Sequence, residues 1–184
     1  MKVLTHSTSV TENEPFVLTE VKAHFRVDHS DDDEAIARIA WAAAAEIEQF
    51  AQIRLLTHVV RLTVFDPDTG QMWFRLALGP VDQDSPPSVL VDGVAFTDFE
   101  FVGGSRAGIR WGATWAELSD PTRVTIEYTA GFGDTAADIP ADLAQAVMDQ
   151  AALHYDGRSP MSHRDLTTSP HMARIGARYR GVQA

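Results

Sequence analysis

The sequence predicts an α+β protein. Three observations predict it: helical spacing of apolar residues in two N-terminal stretches, alternation of period two through residues 57–130, and a return to helical spacing from residue 140. A C-terminal segment of different composition follows and is expected to form an extended tail.

Residues 1–17 are polar, rich in Ser, Thr and Glu, with little periodicity; they are expected to be a flexible arm or an edge extension. Thr19 is placed to cap a first helix over residues 19–27, with Val21 and Phe25 four apart on one face. A second helix is predicted over 31–55, where Ile36, Ile39, Ala43, Ile47 and Phe50 follow the 3.6 period. The acids Asp31–Glu34 fall in its first turn, where the helix dipole favours negative charge.

From Thr57 the period is two. Val60, Leu62 and Val64 alternate with Arg61 and Thr63, and Met72, Phe74, Leu76 and Leu78 alternate with Trp73, Arg75 and Ala77. Asp66-Pro67-Asp68-Thr69-Gly70 between them has turn composition, so these two runs are expected to pair as a hairpin. A second hairpin is expected across Asp92-Gly93, a pair suited to a two-residue turn with positive φ. Phe99–Val102 and Ile109–Trp111 form a third expected pair, and Val124, Ile126 and Tyr128 a final strand. Pro140 suits the first turn of a third helix, 140–156, whose face carries Leu143, Val147, Ala151 and His154 before the stop at Gly157.

The tail begins with a polar linker from Ser159-Pro160. Ser169-Pro170 then reads as a cap and first-turn proline for a short helix, 170–180, with Met172, Ile175 and Tyr179 on one side. A helix this short is below the roughly 12–15 residues that stand alone in water, so it is expected to order only against a partner.

The net charge of −11 is unevenly spread. Residues 1–156 carry 10 Lys/Arg against 25 Asp/Glu, a balance of −15. Residues 157–184 carry Arg158, Arg164, Arg174, Arg178 and Arg180 against Asp165 alone, a balance of +4. The body should repel nucleic acid, and the tail wants a partner of the opposite sign. No run reaches the roughly 18 uninterrupted apolar residues of a membrane span, and the N-terminus lacks a secretory layout. Synthesis in the cytosol without secretion is expected.

Motifs for chemistry are mostly missing. There is no cysteine, which excludes disulfides, thiolate metal sites and thiol catalysis. The acidic run Asp28–Glu34 fails as a calcium loop, because Asp33 and Ile39 stand where glycine and glutamate are needed. Gly131-Phe132-Gly133 resembles a truncated phosphate loop, but Asp134, Asp138 and Asp142 would repel phosphate. Gly104-Ser105-Arg106-Ala107 lacks the second glycine of a nucleophile elbow. None of the seven histidines forms a zinc-type pair, and His154 on an apolar face suits hydrogen-bonded packing. No catalytic residue, cofactor or metal is expected.

Whole phrases, taken in order, resemble the head–tail connector (adaptor) proteins of tailed phages and phage-like gene transfer agents. The opening Leu18-Thr19-Glu20-Val21-Lys22 and Arg26-Val27-Asp28 is similar to that family's start. Glu48-Gln49-Phe50 with Arg54-Leu55-Leu56-Thr57, and Leu78-Gly79-Pro80-Val81, resemble its middle. Val124-Thr125-Ile126-Glu127-Tyr128-Thr129-Ala130-Gly131-Phe132-Gly133, Ile139-Pro140 and His154-Tyr155-Asp156-Gly157-Arg158 resemble its close. The resemblance covers residues 18–158; Asp82–Ser88 departs from it by being more acidic and proline-rich.

The resemblance implies a small helical core bearing an antiparallel β insertion. It implies a homo-oligomeric, dodecameric ring beneath the portal protein, without enzymatic activity, at the head–tail junction of a virion or gene transfer agent particle assembled in the bacterial cytoplasm. The resemblance also implies that DNA passes through the lumen without specific binding and that the ring offers a platform to a head-closure or tail-completion protein. The basic tail is then expected to contact the portal through Arg164, His171, Met172, Arg174, Ile175, Arg178, Tyr179 and Arg180. The competing expectations are a head-closure or tail-completion protein of the same particle, a host enzyme or ligand-binding domain without a recognisable motif, and a nucleic-acid-binding regulator, which the acidic body disfavours.

Overall fold

The computed structural model describes residues 1–157 and 168–180. They fall into two compact units, one from Met1–Thr11 with Thr57–Gly131, the other from Glu12–Leu56 with the described part of 132–184. The fold is α+β.

The first unit is built of strands: β1 (Lys2–Ser9), β2 (His58–Phe65), β3 (Trp73–Arg75), β4 (Ser88–Val91), β5 (Val94–Ala95), β6 (Phe99–Val102), β7 (Gly108–Trp111) and β8 (Arg123–Ala130). They make a five-stranded sheet of order β1-β2-β8-β4-β5 and a three-stranded sheet of order β3-β7-β6. Every pairing is antiparallel. Alternation decides the core. Val60, Leu62 and Val64 of β2 are buried and lie opposite Tyr128, Ile126 and Val124 of β8, also buried. The rings of Trp111 and Trp115 stack at 4.4 Å, with Phe96 edge-on to both at 5.9 Å.

Two expectations about pairing change. β2 does not form a hairpin with the strand that follows it; it pairs with β1 and β8, while β3 joins β7 in the smaller sheet. Turn composition at Asp66–Gly70 reverses the chain but does not choose the partner, and β8 presents a longer matching apolar face than β3. The N-terminal stretch forms the edge strand β1, registered residue for residue on β2 from Lys2–Phe65 to Ser9–His58.

The Asp92-Gly93 turn closes β4 on β5 with both φ angles positive, 50° and 86°, as such a turn requires. The Asp92 carboxylate also accepts the Thr122 hydroxyl at 2.6 Å and the Arg123 N–H at 2.8 Å. These bonds, the Thr122 hydroxyl foremost, hold its carboxyl below the ordinary 3.8. Asp98 with Thr114, and Asp138 with Thr135, repeat the arrangement.

The second unit is helical: α1 (Leu18–Phe25), α2 (Asp33–Ala51), α3 (Ala141–Asp156) and α4 (Pro170–Tyr179). α2 begins at Asp33, so only Asp33 and Glu34 of the acidic run lie in its first turn, and Lys22 of α1 reaches Asp33 at 2.5 Å. The seam uses small residues: Ala40, Ala43 and Ala44 of α2 and Ala146 and Ala151 of α3 are buried, which permits close helix approach. Glu48 accepts the Leu55 N–H at 2.8 Å and pairs with Arg54 at 3.0 Å, fixing the exit from α2. Gly131–Asp134 is a strand-to-helix turn, in which Phe132 N–H donates to the Leu55 carbonyl at 3.3 Å. Among the described residues no helix is long and apolar enough to cross a membrane.

The depressed carboxyl of Asp92 gives a pH test. Its folded value lies below the unfolded one, so its contribution is present above the unfolded value and is lost as pH falls through the folded value. Asp92→Asn should melt below the parent protein at pH 7, and the difference should narrow below about pH 4. A gap unchanged between neutral and strongly acid pH in thermal melts contradicts this.

Candidate partner-binding site

α4 carries most of the residues expected to meet a partner, and its sequence explains its placement. Ser169 accepts the Met172 N–H as N-cap and Pro170 occupies the first turn. Apolar residues then recur on one side, and Met172 and Ile175 are each only 2% exposed. They pack in one cluster with Ile36 and Ile47 of α2 and Leu143 and Val147 of α3. The tail helix therefore does find a partner, and that partner is its own chain. Gly176 completes the contact: a Cβ there would stand 2.5 Å from the Phe50 ring.

Polar contacts repeat on a two-turn interval. Asp142 and Asp149 of α3 lie seven residues apart, as do His171 and Arg178 of α4. With the helices antiparallel, Asp142 takes Arg178 at 3.2 Å and the Tyr179 hydroxyl at 2.9 Å, while Asp149 takes His171 and, from α1, His24 at 3.2 Å. Burial, then the Asp142 hydrogen bond and charge, push the Tyr179 phenol above its ordinary 10.0. Gln150 is the buried polar centre, 1% exposed. It donates to Glu46 at 2.8 Å and accepts the Ser169 N–H at 2.8 Å. His154 lies 3.0 Å from the same Glu46 oxygen, a hydrogen-bonded packing residue.

The expected contact set is thus divided. Met172, Ile175 and Tyr179 hold α4 to α2 and α3, and His171 is committed to Asp149. Arg174, Arg178 and Arg180 face solvent. Arg178 is 64% exposed, so its ion pair with Asp142 adds little stability; Arg180 lies over the Phe50 ring at 5.6 Å. Arg164 lies outside the described residues. Asp142, Asp149 and Gln150 were missed, although acids at heptad spacing facing bases at heptad spacing are a recognisable signal of paired helices. Among the described residues no group of three His, Asp or Glu is placed to hold a metal ion.

No protein-family model and no curated protein matches the sequence. Solved structures do. A chain in the neck of an empty gene transfer agent (GTA) particle, computed with C6 symmetry, superposes with a TM-score of 0.74 at 25% identity, over 98% of this chain and 97% of that one. This chain is similar to a chain of the gene transfer agent neck. A chain in the virion of a native GTA particle gives 0.72 at 27% identity, over 97% and 96%. A chain from the neck of a native GTA particle, computed with C12 symmetry, shares the fold at 0.71 and 23% identity, over 98% and 97%. The likeness to GTA chains spans both units and both chains nearly end to end.

Gly176 gives the test of how α4 is held. Gly176→Leu drives a side chain into Phe50, an overpacking that costs about 1–3 kcal/mol. Amide exchange in α4 should accelerate and trypsin should cut at Arg174 and Arg178, with α2 and α3 still protected. Unchanged protection of α4 contradicts the packing described.

Proposed function

We propose that this chain is a structural subunit of the neck of a tailed phage or gene transfer agent particle, a head–tail connector that forms a ring beneath the portal, extends the DNA channel and links capsid to tail. The observation that carries it is the end-to-end likeness to a GTA neck chain at 25% identity and a TM-score of 0.74. The C6 and C12 symmetry of the similar necks supports a ring, and the −15 balance of residues 1–156 supports a lumen that lets DNA slide, since phosphate contacts add affinity that would oppose transit.

The portal contact is assigned to the outward side of α4. Arg174 and Arg178, the latter with an ion pair to Asp142, form a basic solvent-facing side on a helix whose other side is occupied, and Arg180, just past the helix end, adds an exposed charge; Arg164 precedes them in sequence. Met172, Ile175, Tyr179 and His171 act indirectly, by presenting that face in one orientation. An arginine face suits an acidic or carbonyl-rich groove on the portal.

Charge reversal separates this from a purely internal role for the helix. The chain with Arg174→Glu, Arg178→Glu and Arg180→Glu should keep its melting temperature within a few degrees, since exposed pairs contribute about 0–1 kcal/mol each. Its binding to portal-bearing heads should fall roughly tenfold or more, with the salt dependence of binding reduced. Undiminished attachment to heads contradicts the assignment; attachment to tails but not to heads favours a head-closure or tail-completion protein instead.

A further inference from the structure

A closed ring of more than two copies is built from heterologous contacts, in which two different surfaces of one chain meet. The five-stranded sheet ends in two different edges, β1 and β5. β1 is eight residues long, and all but Ser7 are exposed, with Val3 at 40% and Leu4 at 51%. It holds no proline and only Lys2 as a permanent charge. Natural edges of this length are normally blunted by charge, proline or a bulge unless another strand covers them.

The register shows what this edge offers. Val10 N–H donates to the Thr57 carbonyl at 3.1 Å, continuing the β1–β2 ladder. Antiparallel bonding alternates along a strand, so Leu4, His6 and Thr8 direct their backbone groups to β2, and Val3 and Thr5 direct theirs away. On the far edge Phe96 N–H donates to the Val89 carbonyl at 2.9 Å. By the same alternation Val94 bonds to β4 and Ala95 turns its N–H and C=O outward. Val94 is 71% exposed, the most exposed large apolar side chain among the described residues.

We propose that, in the ring, the outer edge of β1 pairs with the β5 edge of the adjacent copy of this chain, joining the sheets into a continuous belt; this rests on the ring assignment made above. Pairing of β1 with β1 makes a twofold dimer and cannot propagate a ring. Strand direction alternates across the sheet, so β1 and β5 run the same way, and rotation about the ring axis preserves that direction. The junction is therefore a parallel pair, its main-chain bonds slanted and its strength supplemented by the apolar side chains of Val3 and Val94.

Proline substitution on the two alternating sets of β1 tests this in the full chain. Thr5→Pro removes an outward N–H and should keep the melting temperature, while copies of the chain in purified particle necks fall about tenfold. Leu4→Pro removes an inward N–H and should lower the melting temperature. Independently of folding effects, the parent's lack of cysteine allows Leu4→Cys with Ala95→Cys, which project from the same face of the sheet, to be joined by a short bis-maleimide in assembled particles. A ladder of linked copies is expected from the double variant and only monomer from either single one. The pairing is overturned if Thr5→Pro fills necks at the parent level, or if the double variant gives no ladder in necks that contain it. Absence of the unmodified chain from necks overturns the ring assignment, and this inference with it.

Discussion

The presentation of the last helix depends on one buried polar side chain, Gln150. It lies within the helical core and uses both ends of its amide, one on Glu46 of α2 and the other on the N–H of Ser169, where α4 starts. A buried amide left half satisfied costs about 1–3 kcal/mol. α4 is thereby registered on α2 and α3 rather than merely adsorbed to them. The heptad-spaced pairs Asp149–His171 and Asp142–Arg178 and the glycine contact at Phe50 follow from that register. The basic face exists as a defined surface because the opposite side of the helix is used up.

A division of labour between the two units follows. The helical unit holds a ten-residue helix that could not persist alone. The strand unit closes its own core around Trp111 and Trp115 yet leaves its sheet unfinished at both ends. A protein that worked alone would gain nothing from an eight-residue open edge and a solvent-facing arginine side on α4. A component of a larger assembly, as the GTA neck chains are, has use for both.

Much of this was legible in the sequence wherever structure is local. The 3.6-residue period located α2 and α3, Asp92-Gly93 announced its hairpin, and Ser169-Pro170 marked the start of α4. What was not legible is pairing at a distance. The polar run Lys2–Ser9 has no pattern that distinguishes an edge strand from a free arm, because its order comes from β2. Turn composition after Phe65 says that the chain reverses, not that β8 rather than β3 will lie beside β2. The apolar side of α4 was visible, but a stripe of Met172, Ile175 and Tyr179 looks the same whether its partner is another protein or the chain's own α2 and α3. The acids that settle it, Asp142 and Asp149, sit on a different helix.

The central claim is that this chain forms the ring next to the portal, with the arginine side of α4 turned toward it. Electron cryomicroscopy of intact particle necks, with the chain located by a fused tag, tests that most directly. The account predicts a ring of copies in the layer touching the portal, with Arg174, Arg178 and Arg180 at the contact. Density for the tagged chain in a lower layer, in the tail, or nowhere in the particle would contradict it.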